Sequence, residues 1–213
     1  MGAKIDPEFN LSFTAASLRT ELARIIAALY LELGDWGEVK RRVLKSNALQ
    51  YRSVGSAIRV ERELRQRLEM LTLDQITLLA QGNADDRAAI AWLSAQKKIP
   101  FAYEFAAEVL REKYNSRDLA LRLSDYEVFV EGKSSIHREL SQLSETSRRK
   151  IRQVLLLMLG EAGLLSQGED LGNIHRPVLS SEVARSIVRD SADWLSGFLL
   201  SDTEIRETII RFT

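Results

Sequence analysis

Two stretches of the sequence concentrate basic side chains that could bind phosphate groups. Residues 37–68 contain nine basic and three acidic residues, and residues 146–153 contain four basic residues and no acidic one. The whole chain has 30 basic and 30 acidic residues, so these local charges of +6 and +4 leave −10 for the remainder. Of the 30 basic residues 22 are arginine, whose guanidinium group can bond two phosphate oxygens or a guanine edge. A GC-rich coding sequence would give the same excess of arginine.

The first basic stretch fits a helix-turn-helix. A helix through Val39 and Val43 breaks at residues 46–47, and a second helix begins near Ser53. In this motif the first helix crosses the DNA backbone and the second lies in the major groove. At 100° per residue, four arginines in or next to this second helix fall on the side away from four apolar residues. The arginines are Arg52, Arg59, Arg62 and Arg67, and the apolar residues are Val54, Ala57, Leu64 and Leu68.

Both helices supply candidate DNA-binding residues. The candidates are Lys40, Arg41 and Lys45 for phosphates, and Arg52, Arg59 and Arg62 for base edges or further phosphates. The seven-residue gap between the helices is longer than the usual turn of about 3–4 residues. The alternative is an ordinary solvated helix whose arginines pair with Glu61, Glu63 and Glu69.

The second basic stretch opens a strongly apolar helix. Its candidate DNA-binding residues are Arg148, Arg149 and Arg152, close to a helix N-terminus that also favours phosphate. Leu156 and Leu157 make the helix apolar on nearly every side, which predicts a buried central element. The polar, glycine-containing turn that follows predicts a β-hairpin within residues 164–179. Helix and hairpin together resemble the recognition helix and wing of a winged-helix domain, although the arginines could simply solubilise the end of a core helix.

No residue pattern indicates catalysis, a metal site or a cofactor. The chain has no cysteine, and His137 and His175 have no partner at metal-ligand spacing. Nucleophile elbows and phosphate-binding glycine loops are also absent from the sequence. Asp125, Glu131 and Lys133 imitate the order of a metal-dependent nuclease, but we expect them on a helix rather than on the β-hairpin such a site needs. The sequence therefore predicts a protein that is not an enzyme.

The sequence also predicts a protein that does not cross a membrane. Its uncharged stretches, such as residues 88–96 and 194–201, are far shorter than the roughly 20 apolar residues that a spanning helix needs. No signal peptide is recognisable, so we expect the cytoplasm. Residues 1–9 resemble a tag and cloning remnant.

The hydrophobic period is helical almost throughout and predicts a mainly α, compact fold. Helix starts are expected at Asp35, Thr72 and Ser116, and at a capping box that begins at Ser124, while Gly34 is a natural helix end. The polar segment 133–147 suggests a boundary between an N-terminal helical subdomain, residues 10–132, and a C-terminal one, residues 133–213.

In the order and spacing of five segments the chain resembles the BrxA family of bacterial BREX (bacteriophage exclusion) systems. The segments are Leu33–Val39 (LGDWGEV), Arg59–Leu68 (RVERELRQRL), Phe105–Lys113 (FAAEVLREK), Thr146–Leu155 (TSRRKIRQVL) and Leu159–Leu165 (LGEAGLL). The resemblance implies a small, helical, non-enzymatic protein with an N-terminal helix-turn-helix and a likeness to the antitermination factor NusB. It also implies binding of double-stranded DNA within a multi-protein defence and methylation system, with other proteins of that system as partners.

Two further functions stay open. The arginine faces could dock an acidic partner protein in an assembly module, with DNA affinity incidental. The likeness to NusB would instead favour RNA binding, although fold likeness alone is weak support.

Overall fold

The computed structural model describes Phe9 and residues 11–212 of the chain. The N-terminal elements are a 3₁₀ helix, Ser12–Ala15, and α1 (Thr20–Leu33), α2 (Trp36–Lys45), α3 (Val54–Leu68), α4 (Leu73–Gln81) and α5 (Ala84–Lys98). A continuous rod follows, made of α6 (Pro100–Glu104), a π-helical segment Phe105–Leu110 and α7 (Arg111–Asn115). The remaining elements are β1 (Ala120–Leu121), α8 (Leu123–Ser134), α9 (Arg138–Ser141), α10 (Glu145–Glu161), β2 (Leu165–Ser166), β3 (Gly172–Ile174), α11 (Ser181–Asp190), a 3₁₀ helix Ala192–Phe198 and α12 (Asp202–Phe212). The predicted mainly α fold is confirmed.

Local capping signals in the sequence were reliable guides to the N-terminal helices. Gly34 ends α1 in the left-handed conformation (φ 70°), which glycine adopts without strain. The Asp35 side chain accepts the N–H of Glu38 at the start of α2. Thr72 and Gln75 form a complete capping box at the start of α4.

The expected helix starts at Ser116 and Ser124 are wrong. Ser116 lies in the turn that ends α7, and the chain then enters β1. α8 begins at Leu123, because the Asp125 carboxylate accepts the N–H of Arg122 at 2.8 Å and so fixes Arg122 as the cap. Asp125, Glu131 and Lys133 all lie on α8, as expected.

A three-stranded antiparallel sheet contains the predicted hairpin. β2 pairs with β3 through Leu165 opposite Ile174, and β1 joins the other side of β3 through Leu121 opposite Gly172. The hairpin is therefore confirmed, whereas β1 was not predicted. β3, the partner of β1, lies about 50 residues further along the chain, so no local pattern predicts this pairing.

The core is centred on α5 rather than on α10. Residues 89–96 of α5 are all buried, with Trp92 fully enclosed. α10 buries one face but leaves Leu156 partly accessible and Leu157 52% exposed, so the expectation of an all-round buried helix is wrong. Within the described residues, no helix is both long and apolar enough to cross a bilayer.

Two charged side chains tie the segment before α1 to the rest of the fold. Arg67 of α3 donates to the carbonyl oxygens of Ser17 (2.8 Å) and Ala16 (2.9 Å). Glu161 at the end of α10 accepts the hydroxyl of Ser17 (2.8 Å) and the N–H of Leu18 (2.5 Å). The segment thus connects the helices that carry the two basic stretches.

Phe9 is buried, and its ring stacks on His137 with centroids 3.7 Å apart. The rest of the expected cloning remnant, residues 1–8, lies outside the described residues. The division into subdomains at residue 133 stays a prediction.

Candidate nucleic-acid interface

Five of the six candidates in the first basic stretch form one set of exposed, unpaired cations. We call this set the α2–α3 surface; it consists of Lys40, Lys45, Arg52, Arg59 and Arg62. No acidic side chain in the described part of the chain lies within ion-pair distance of any of them. The sixth candidate, Arg41, pairs with Glu38, and both side chains are well exposed to water. Arg42, which was not a candidate, is also exposed.

The helix phase predicted the outward direction of the central arginines correctly. Ala57 and Leu64 are buried on the inner face of α3, whereas Arg59 and Arg62 are exposed on the opposite face. Arg59 donates its Nε–H to the carbonyl oxygen of Gly55 at 3.3 Å. This bond leaves the outer nitrogens of the guanidinium group available to a ligand.

Two residues of α3 contradict the predicted faces. Val54, expected to pack inward, is 75% exposed at the first position of the helix. Arg67, expected to face outward, is 1% exposed, because its guanidinium group reaches the carbonyl oxygens before α1 and also pairs with Glu63 at 2.8 Å. Burial lowers the pKa of Arg67, and Glu63 opposes this shift.

The acids of α3 pair with arginines, as the solvated-helix alternative expected, but not with the candidates. Arg65 pairs with Glu61 at 2.7 Å and with Glu69 at 2.5 Å, while Glu63 pairs with the buried Arg67. These acids therefore do not neutralise the outward arginines.

The candidates of the second basic stretch make more contacts with other residues of the chain than those of the α2–α3 surface do. Arg149 pairs with Glu145 at 3.2 Å, and Arg148 donates to the carbonyl oxygens of Leu140 and Ser141, both at 3.3 Å. The guanidinium carbon of Arg152 lies 5.8 Å from the ring centre of Tyr126. Arg148 and Arg152 thus help to join α10 to α9 and α8.

These three arginines line a groove of about 690 Å³ between α8 and α10, the α8–α10 groove. The same groove is lined by Glu127, Glu131 and Glu145, so its charge is mixed. Burial raises the pKa of Tyr126 in its wall to about 12, although the charges of Arg152 and Arg148 act in the opposite direction. This groove is a weaker attractor for polyanions than the α2–α3 surface.

The hairpin adds negative rather than positive charge. Its turn carries Glu169 and Asp170, and a carboxylate oxygen of Asp170 accepts the N–H of Leu123 at 2.9 Å. His175 bonds Ser166 across the hairpin at 2.7 Å. Among the described residues, no group of three or more metal-ligating side chains occurs.

Comparison with known proteins places these features in a family. A family model described as BrxA matches residues 7–191. A protein of Bacillus cereus (strain H3081.97), described as BREX protein BrxA, is 26% identical over 150 residues, which cover 70% of this chain and 75% of that protein. A protein of Escherichia coli O9:H4 (strain HS) with the same description is 27% identical over 146 residues, which cover 68% of each.

A solved structure has the same fold. It is described as the crystal structure of an uncharacterized protein from Magnetospirillum magneticum. It superposes with a TM-score of 0.78 at 18% sequence identity and covers 91% of this chain and 98% of that one. At this identity the likeness concerns the fold alone.

Proposed function

The chain belongs to the BrxA family and is thus a component of a BREX phage-defence system, and from that premise we propose that it is a non-enzymatic accessory protein that binds double-stranded DNA, mainly through phosphates. DNA carries closely spaced phosphate charges, and a protein that neutralises them gains affinity by releasing counterions. A surface of exposed cations is what such binding needs.

One observation carries the proposal. The acidic side chains of α3 form ion pairs with Arg65 and Arg67, while Arg59 and Arg62 on the outer face have no acid partner among the described residues. An ordinary solvated helix would be expected to spread its ion pairs over its exposed arginines. Here the α2–α3 surface keeps a net positive charge although the whole chain is neutral.

The arrangement of α2 and α3 supports a helix-turn-helix interpretation with α3 as the reading helix. The Ser53 hydroxyl makes no capping bond, and the first turn of α3 presents Val54 to solvent. The N-terminal residues of a recognition helix contact base edges, and an exposed valine can contact a thymine methyl group. Eight residues, 46–53, separate the helices, so the connection is longer than the common turn.

The order of the C-terminal elements supports a second, winged-helix interpretation. β1, α8, α9, α10, β2 and β3 follow each other with β3 in the middle of the sheet, which is the connectivity of a winged helix. In that fold α10 would enter the groove of DNA and the hairpin would be the wing. Because this wing carries Glu169 and Asp170, we assign the α2–α3 surface the larger share of the affinity.

Binding of a fluorescent DNA duplex at several salt concentrations tests the proposal. We expect the logarithm of the association constant to fall linearly with the logarithm of salt concentration, with a slope near −0.9 for each neutralised phosphate. An affinity that does not change with salt would contradict binding through phosphates. Competition with a structured RNA tests the RNA alternative, which predicts that RNA displaces the duplex at lower concentration than unlabelled DNA does.

A second candidate function is protein assembly within the defence system. It is favoured by the mixed charge of the α8–α10 groove and by Leu157 of α10, which is half exposed and lines a separate groove with Leu156 and Leu165. Pull-down of other BREX components after nuclease treatment separates the two functions. A complex that survives the nuclease but is lost in Arg149→Glu/Arg152→Glu would favour assembly.

A further inference from the structure

Three cations from two separate helices converge on one concave site. The site is a groove of about 240 Å³ between the 3₁₀ helix Ser12–Ala15, α3 and the end of α5, and we call it the α3–α5 groove. Arg59 and Arg62 line it from α3, and Lys98 lines it from the last position of α5. Lys98 lies outside both basic stretches, so no sequence pattern groups it with these arginines.

Among the described residues, the one acid that lines the groove is already neutralised. Glu63 is held by the buried Arg67, with Oε1 at 2.9 Å from Nε and 2.8 Å from an Nη atom. No acidic side chain in the described ranges lies within ion-pair distance of Arg59, Arg62 or Lys98. The described residues around the groove therefore carry a local charge close to +3, and its concave walls concentrate the positive potential.

The residues on either side of Lys98 are held by other parts of the structure. The preceding residue, Lys97, forms an ion pair with Asp190 at 2.5 Å and donates a hydrogen bond to the carbonyl oxygen of Met70 at 3.0 Å. The following residue, Ile99, is buried, and Pro100 then starts α6. The end of a helix favours a cation, which accounts for a lysine at this position but not for two arginines in the middle of α3.

Like charges brought together in a concave site repel each other, and an anion that binds between them relieves this repulsion. Arginine and lysine differ in how they hold phosphate, the former as a planar fork and the latter as a point charge, and together they can surround one phosphate group. The side chains of Gln66 and Ser12 also line the groove and add polar atoms beside the cations.

We propose that the α3–α5 groove binds a phosphate group, with Arg59, Arg62 and Lys98 as its ligands. The phosphate is supplied by the backbone of duplex DNA, which rests on the function proposed above, or by a free polyphosphate. Lys98 is then a binding residue in either case, and the groove fixes where one phosphate lies relative to α3.

Lys98→Gln tests the proposal, with Arg206→Gln, an exposed arginine of α12, as the charge-matched control. Both variants should melt at the temperature of the wild type in the absence of ligand. In the first arm, inorganic pyrophosphate and tripolyphosphate should raise the melting temperature of the wild type and of the control, but not that of Lys98→Gln. In the second arm, Lys98→Gln should weaken duplex binding about eightfold at 0.1 M salt and lower the salt slope by about 0.9, as expected for one lost phosphate contact.

The two arms identify the source of the phosphate. Loss of duplex affinity without any polyphosphate effect assigns the groove to the DNA backbone. A polyphosphate effect that depends on Lys98, with no DNA binding by any variant, assigns it to a free polyphosphate and leaves the groove proposal standing while the DNA proposal fails. Equal behaviour of Lys98→Gln and Arg206→Gln in both arms overturns the proposal.

Discussion

Replacement of Arg67 by alanine should destabilise the protein strongly, although the period of α3 places this residue outside. Arg67 is 1% exposed and bonds the carbonyl oxygens of Ser17 and Ala16 as well as the carboxylate of Glu63. Its loss leaves two carbonyl oxygens without this donor and the 13%-exposed side chain of Glu63 without its ion-pair partner. Breaking a buried pair by removing one member costs about 3–5 kcal/mol.

The expected loss of stability can be measured by thermal and urea unfolding. In a chain of this size 1 kcal/mol corresponds to roughly 2–4 °C, so the melting temperature of Arg67→Ala should fall by about 6–20 °C. Arg62→Ala is the matched control on the same helix, and as an exposed residue it should change the free energy of unfolding by no more than about 0.5 kcal/mol. If the two variants unfold at the same urea concentration, Arg67 does not hold the segment before α1 and the reasoning is refuted.

Three further outcomes follow from the same structure. Leu155→Ala should lower the free energy of unfolding by about 2–5 kcal/mol because Leu155 is fully buried. Leu157→Ala, two positions along α10, should lower it far less because Leu157 is exposed. Equal urea midpoints of the two variants would contradict an exposed face on α10. Since burial raises the pKa of Tyr126 to about 12, the folded state keeps a proton that the unfolded state loses near pH 10. The contribution of Tyr126 to the free energy of unfolding is therefore present below pH 10 and is lost as the pH rises towards 12. Ultraviolet titration should show a late absorbance change that Tyr126→Phe removes, and a variant that titrates like the wild type would contradict this assignment. Hydrogen bonds from Lys113 and Arg122 lower the pKa of Asp118 to about 2, so its contribution to the free energy of unfolding is present above pH 4 and is lost as the pH falls through 2. Asp118→Asn should therefore make stability depend less on pH in this acid range. An unchanged acid dependence would count against this pairing.

Features specified by neighbouring residues could be predicted from the sequence. Thr72 and Gln75 lie three residues apart and cap each other, and Gly34 ends α1 at the position where the apolar period stops. The outward direction of Arg59 and Arg62 follows from the same helical period. These features need no information about the rest of the fold.

Features that depend on distant partners could not be predicted. Arg67 is buried because carbonyl oxygens some 50 residues earlier come within its reach, and β1 forms because β3 lies beside it. Lys98 joins Arg59 only through the packing of α5 against α3. In each case the local pattern predicts which residues share a face of an element, but not which distant residues pack against that face.

The salt dependence of duplex binding by Arg59→Ala/Arg62→Ala tests the central claim, DNA binding through the α2–α3 surface, most directly. If Lys40, Lys45 and Arg52 each neutralise one phosphate and the α3–α5 groove neutralises one more, the wild type should have a slope near −3.6 and lose about 150-fold in affinity between 50 and 200 mM salt. The double variant should have a slope near −2.7 and lose about 40-fold, while its melting temperature stays that of the wild type. Arg189→Ala/Arg206→Ala, with the same change in charge on α11 and α12, should bind like the wild type. A double variant Arg59→Ala/Arg62→Ala that keeps the wild-type slope and affinity would contradict the account.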